Sequence, residues 1–154
     1  MSHHRFKEVG QTGFAGRGPK RLLLISILGV GTMGRVLCRR VLIIDDNVDL
    51  AENIAEILQI DGHLTQLAAS AEEAFSNAID SELDVVVTDY RLPGMSGADF
   101  VKQFRKIRTQ VRAVVISAYT DDGTISQARE AGATFMPKPV DFKLLGRFVR
   151  EATA

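Results

Sequence analysis

From Val41 to the C-terminus, short β-branched runs alternate with longer stretches in which apolar residues recur three and four positions apart. The runs have strand length and the stretches helix length, so the pattern predicts repeated βα units around a parallel sheet, an α/β fold. Five units follow one another. The first strand, Val41 to Ile44, is apolar at every position, as suits a strand covered on both faces, and it ends in Asp45 and Asp46. Asn47 then caps a helix whose Leu50, Ile54, Ile57 and Leu58 share one face. A second strand, Leu64 to Leu67, precedes Ser70 and Glu73, which have capping-box spacing for a helix bearing Ala74, Phe75 and Ala78. The third strand, Leu83 to Thr88, ends at Asp89, and Pro93, Gly94 and Gly97 mark a loop before a helix containing Phe100, Val101, Phe104 and Ile107. Ala113 to Ile116 forms the fourth strand and ends at Ser117; its helix, with Ile125 and Ala128, stops near Gly132. The fifth strand, Ala133 to Met136, runs into Pro137-Lys138-Pro139, after which Asp141 caps a last helix with Leu144, Leu145, Phe148 and Val149 inward. The expected fold thus fills the sequence and leaves no room for an output domain.

Residues 1–40 do not share this pattern. Residues 1–20 hold four glycines, a proline and scattered charge without an apolar period, so they are expected to be disordered or loosely attached. Net charge is zero for the 154 residues, yet residues 1–40 carry eight Lys/Arg against the single acid Glu8, while residues 41–154 carry eleven against eighteen. An acidic body of this kind repels nucleic acid, which argues against direct nucleic-acid binding by residues 41–154. The division is therefore between a basic extension, 1–40, and one domain, 41–154. The extension reads as an incidental leader, a start codon placed ahead of the true one near Met33, or a basic arm for an acidic partner. Its apolar run from Leu22 to Val30 is nine residues long, about half of the ~20 that span a bilayer, so no membrane span is expected. Basic residues before that run imitate a secretory signal, but its long polar start argues against export. Cys38 is the only cysteine, which excludes an internal disulfide and a Cys-rich zinc site and fits a reducing, cytoplasmic setting.

Candidate chemistry gathers at the strand ends. In an open α/β sheet, ligands bind beyond the carboxyl ends of the strands, where this reading puts Asp45, Asp46, Asp89, Ser117 and Lys138. Taken singly, Asp45 and Asp46 could be helix caps, Asp89 a turn residue, and Ser117 and Lys138 background. Taken together, three adjacent acids repel one another unless a cation joins them. Magnesium, with manganese as an acceptable substitute, takes one or two carboxylates plus a phosphate oxygen. A carboxylate is also a competent phosphoryl acceptor, and Asp89 is the best placed, with Lys138 and Ser117 available to offset charge on the transferred group.

These residues occur in V-L-I-I-D-D-N at Val41 to Asn47, V-V-V-T-D-Y-R-L-P-G-M-S-G at Val85 to Gly97, V-V-I-S-A-Y at Val114 to Tyr119 and F-M-P-K-P at Phe135 to Pro139. Over residues 41–152 the sequence closely resembles the receiver domain of bacterial two-component response regulators, in a stand-alone, chemotaxis-regulator-like form. The resemblance implies a flavodoxin-like doubly wound five-stranded parallel sheet in strand order 2-1-3-4-5. It implies phosphotransfer to Asp89 from a sensor histidine kinase or a histidine phosphotransfer protein, and a signalling switch whose only chemistry is gain and loss of its own phosphoryl group. Asp46, Asp89 and the Arg91 backbone carbonyl would ligate the metal, with Asp45 acting through water. Ser117 and Lys138 would contact phosphoryl oxygens, and the Lys138–Pro139 bond would be cis. Ser117 and Phe135 resemble the pair that reports phosphorylation, although Phe135 by itself reads as a core aromatic. Arg91 and Tyr119 occupy positions that tune acyl-phosphate lifetime. Output to an effector, or self-association on phosphorylation, would use the face of the fourth helix, fifth strand and fifth helix.

Two rivals remain at this point. Gly29-Val30-Gly31-Thr32-Met33-Gly34 after an apolar run imitates the glycine motif of dinucleotide-binding oxidoreductases. Only six residues separate Gly34 from Val41, short of the ~10–12 that a βαβ crossover needs, and Asp45 follows too soon to be the ribose-binding acid expected ~20 residues on. The other rival is a phosphorylation-independent docking module with the same fold, against which the complete set of acids, hydroxyl and lysine argues.

Overall fold

The computed structural model describes residues 37–78 and 81–152. The segment with the Leu22–Val30 run and the Gly29–Gly34 motif lies outside the described residues. Ten elements alternate: β1 (Arg40–Ile44), α1 (Val48–Ile60), β2 (Leu64–Ala68), α2 (Ala71–Ala78), β3 (Val85–Asp89), α3 (Gly97–Ile107), β4 (Arg112–Ser117), α4 (Asp122–Glu130), β5 (Thr134–Pro137) and α5 (Phe142–Arg150). The strands form one parallel sheet in the order β2-β1-β3-β4-β5.

Alternate side chains of β1, β3 and β4 enter opposite layers, which is why these strands read as nearly continuous apolar runs. Leu42, Ile44, Val86 and Val115 pack with α2, α3 and α4 on one face. Val41, Ile43, Val85, Val87, Val114 and Ile116 pack with α1 and α5 on the other. Order 2-1-3-4-5 follows from this two-sided covering, since right-handed crossovers put helices on opposite faces only when the chain reverses direction across β1. The reversal opens a crevice between the ends of β1 and β3.

Local chemistry starts and stops the helices where the sequence indicates. Asn47 and Asp141 accept from the amides of Leu50 and Leu144, while Ser70 accepts from Glu73 and the Glu73 carboxylate accepts from the Ala69 amide. Gly132, at φ +76°, takes the left-handed turn that follows α4. Some details differ from the sequence pattern: β3 begins at Val85 and β5 at Thr134, later than expected. Leu144 is exposed, because Leu145, Phe148, Val149 and Ala152 define the inward stripe of α5 and Leu144 sits beside it. Ile107 is exposed at the last residue of α3, past Phe104, and Ile57 and Ile125 are only half-buried. The sheet also begins before Val41: Arg40 starts β1 and Arg39 is buried.

At that starting edge, far from the strand ends, the buried His63 ring accepts the Arg39 amide proton at Nδ1, and its Nε2 meets no protein partner. Burial holds the imidazole below the ordinary histidine value, only partly offset by the Asp61 charge. Neutral His63 therefore contributes stability that is complete above about pH 6.5 and is lost as pH falls below it toward the lowered folded value. Between about pH 7.5 and about pH 5.5 the urea midpoint should fall more in the wild type than in His63→Gln, which keeps an acceptor but cannot charge. Equal falls in the two proteins would remove His63 from the account.

Candidate functional site

β1 and β3 lie side by side in parallel register, Ile44 opposite Thr88, so the residues that follow each strand meet at one rim of the sheet. Carboxylate oxygens of Asp45, Asp46 and Asp89 lie within 4.8 Å of one another there. Asp45 and Asp89 are buried and Asp46 is exposed. Two of the three are fixed by local amides: Asp45 Oδ1 accepts from Asn47 N–H at 2.9 Å, and Asp89 Oδ2 accepts from Arg91 N–H at 2.9 Å.

Lys138, immediately after β5, supplies the cation. Its Nζ lies 2.7 Å from Asp89 Oδ1 and 3.6 Å from Asp45 Oδ2. Its backbone is held by a bond from Lys138 N–H to the Ser117 carbonyl at 2.8 Å, and the Lys138–Pro139 peptide is cis. Burial alone would lower the ammonium's affinity for its proton, but the hydrogen bond and charge of Asp89, then those of Asp45, more than reverse this and hold Lys138 above the usual lysine range. Burial pushes the Asp45 carboxyl up; the Asn47 amide and Lys138 oppose that, and the charges of Asp89 and Asp46 reinforce it. Three carboxylates against one ammonium leave the cluster under-neutralised. That excess, presented by oxygen donors only, fits a hard divalent cation.

Ser117 ends β4 beside β3 and is buried; its Oγ accepts from Tyr119 N–H at 2.9 Å. Val115 pairs with Phe135 and Ser117 with Pro137, so Ser117 and Phe135 project to the same face of the sheet, two steps apart. Phe135 is half-buried and packs against the layer that contains Ala128 of α4. Arg91 and Tyr119, from different loops, also meet: the guanidinium carbon stands 3.8 Å from the centre of the Tyr119 ring. All the strand-end residues singled out in the sequence thus fall at one end of the sheet.

Other contributors take on their role only in three dimensions. Gly97 admits the end of β3 at very close range, since a Cβ there would lie 2.1 Å from the Asp89 carbonyl oxygen. Thr88 Oγ1 donates to that same carbonyl at 2.9 Å. Tyr90 reaches α4, with its hydroxyl 2.6 Å from Gln127 Oε1. The spacing of Gly97 eight residues after Asp89 was a usable signal; nothing local distinguishes Thr88 or Tyr90.

Comparison with known proteins agrees with this geometry. The family model described as response regulator receiver domain matches residues 41–150. A response regulator receiver protein of Anaeromyxobacter sp. is 42% identical over 103 residues, which is 66% of this chain and 43% of that protein's length. Sporulation initiation phosphotransferase F of Bacillus subtilis is 29% identical over 103 residues, 66% of this chain and 83% of that protein. Among solved structures, the chemotaxis protein CheY4 of Vibrio cholerae superposes with a TM-score of 0.69 at 24% identity, covering 75% of this chain and 99% of that one. The chain belongs to the response regulator receiver domain family, a family of phosphoacceptor signalling modules.

Proposed function

We propose that Asp89 is the phosphoacceptor of this receiver domain, taking a phosphoryl group from a sensor histidine kinase or a histidine phosphotransfer protein and passing the change to an effector. The observation that carries this reading is the Lys138 ammonium 2.7 Å from the Asp89 carboxylate within a cluster of three acids. An Asp89 carboxylate oxygen attacks phosphorus, the bond from phosphorus to the donor nitrogen breaks, and that nitrogen departs with the electron pair. Lys138, fully protonated, offers its charge to the phosphoryl oxygens, and Ser117 can turn its hydroxyl toward them in exchange for its bond from Tyr119 N–H. Attack by water on phosphorus later breaks the bond from phosphorus to the Asp89 oxygen, releasing inorganic phosphate and restoring the Asp89 carboxylate.

Asp46, Asp89 and the Arg91 carbonyl would hold magnesium, with Asp45 acting through water. When bound, the ion neutralises negative charge that develops on the phosphoryl oxygens. Removing a direct ligand in Asp46→Ala should weaken magnesium binding by at least about ten-fold, measured calorimetrically. Equal affinity in variant and wild type would count against Asp46 as a ligand.

The stacked Arg91 and Tyr119, from the loops that follow β3 and β4, are read as tuning the lifetime of the acyl phosphate by crowding the attacking water. Arg91→Ala and Tyr119→Ala should each speed loss of the phosphoryl group by about two- to five-fold, the scale of an exposed cation–π contact. Unchanged decay of the phosphorylated form in both would remove this role.

Residues 1–40 are read as an extension to the receiver domain, and the cytoplasm as its setting; among the described residues no helix is long and apolar enough to cross a membrane. Output through α4, β5 and α5 is favoured by the position of Phe135 beside the α4 layer. The test of the central claim is incubation of the full chain with magnesium and acetyl phosphate. A gain of one phosphoryl mass, trapped by borohydride reduction at residue 89, is expected. Folded protein with unchanged mass would favour the phosphorylation-independent docking module instead.

A further inference from the structure

Helix α4 is held differently from its neighbours. α3 buries Phe100, Val101 and Phe104, and α5 buries Leu145, Phe148 and Val149. α4 buries only Thr124 and Ala128, which remove little apolar surface from water. Polar ties therefore carry a larger share of its attachment. One is at its C-terminal end, where Arg105 of α3 donates to the Gly132 carbonyl at 2.5 Å. The other comes from the residue next to the acceptor: the Tyr90 hydroxyl donates to Gln127 Oε1 at 2.6 Å, across 37 positions of sequence.

Tyr90 is a stiff lever for this purpose. Its N–H donates to the Ile116 carbonyl at 2.8 Å, and its own carbonyl accepts from Gly97 N–H at 2.7 Å, so its backbone is fixed to β4 and to the start of α3. Its ring packs on the core layer that includes Ala128 of α4. A weakly buried helix is thus pinned, through one side chain, to the strand end that carries Asp89.

We infer that Tyr90 is a positioning residue for the switch: its bond to Gln127 holds α4 in the resting arrangement and sets how readily α4 shifts when Asp89 is modified. The inference rests on Asp89 as acceptor for its signalling meaning, but the tie itself exists in the unmodified protein. A bond made only in the resting arrangement opposes departure from it, and by linkage its removal eases whichever step requires that departure.

Amide exchange followed by mass spectrometry on the full chain tests this. Without donor, Tyr90→Phe and Gln127→Ala should each speed exchange across residues 122–130 by about five-fold, with α1 and α5 unchanged. The double variant should exchange no faster than either single one, because both remove the same bond. Gln127→Glu, which retains an acceptor, should behave as wild type. With magnesium and acetyl phosphate, Tyr90→Phe should gain the phosphoryl mass faster than wild type. Wild-type exchange in Tyr90→Phe, additive effects in the double variant, a loss in Gln127→Glu equal to that in Gln127→Ala, or unaltered phosphoryl uptake in Tyr90→Phe would each overturn the inference. Absence of phosphoryl uptake in the wild type would instead strike at Asp89, leaving the donor-free comparison to decide the tie.

Discussion

Asp89→Asn should take up no phosphoryl group under conditions that fully modify the wild type, and Lys138→Ala should take it up at least about a hundred-fold more slowly, the usual loss when one preorganised charge partner is removed. The asparagine is nearly isosteric and can still accept the Arg91 amide proton that Asp89 Oδ2 receives, so the surrounding loop keeps its shape. Its amide lacks the anionic oxygen that attacks phosphorus. Neither neighbouring acid is a ready substitute: Asp45 is buried, with one oxygen on the Asn47 amide and the other 3.6 Å from Lys138, and Asp46 lies further into solvent. Lys138→Ala acts through charge and the hydrogen bond that carries it. It removes the cation 2.7 Å from Asp89 and leaves three carboxylates facing one another, so an incoming phosphoryl group meets repulsion and no counter-charge from the chain. Mass spectrometry over a time course with acetyl phosphate and magnesium measures both. A full mass gain in Asp89→Asn would move the acceptor to another residue, and a wild-type rate in Lys138→Ala would mean that its ion pair with Asp89 is structural only.

The fold and the main site were legible for one physical reason. Strands covered on both faces must be apolar throughout, so the polar residue that ends each run stands out, and the topology of an open parallel sheet gathers those ends. Asp45, Asp89, Ser117 and Lys138 all announce themselves in this way. Contacts between distant loops carry no such signature. Arg91 over Tyr119, Tyr90 on Gln127 and Arg39 on His63 join residues at least 24 positions apart, and no periodicity links them. The same blindness shifts boundaries: Leu83 reads as strand, yet β3 begins at Val85, and the polar Asp84 that precedes it turns its carboxylate onto the Arg40 amide of the neighbouring strand. Leu144 shows the converse, an apolar residue next to the inward stripe of α5 that the stripe does not need.

The largest effect on stability is expected at Gly97, where a methyl group collides with parts of the site that cannot give way. A Cβ there would lie 2.1 Å from the Asp89 carbonyl oxygen, 2.8 Å from Thr88 Oγ1 and 3.0 Å from the Asp89 carbonyl carbon. Strand β3 is flanked by β1 and β4, and the next residue, Tyr90, is bonded to Ile116, so the strand cannot retreat. Helix α3 must lift instead, which disturbs Phe100 and Phe104, stacked with ring centres 5.3 Å apart in the core. Gly97→Ala should therefore cost about 2–4 kcal/mol, the range for overpacking combined with displaced core side chains. Gly94→Ala is the informative comparison. Gly94 has φ +83° but nothing within 4 Å of an added Cβ, so only backbone strain is charged there, about 1 kcal/mol. Urea unfolding of the two variants separates the effects, since each exposes the same surface and differs only in midpoint. If Gly97→Ala unfolds at the same midpoint as Gly94→Ala or above it, the start of α3 yields freely, and the close approach of strand and helix is not what holds Asp89 in place.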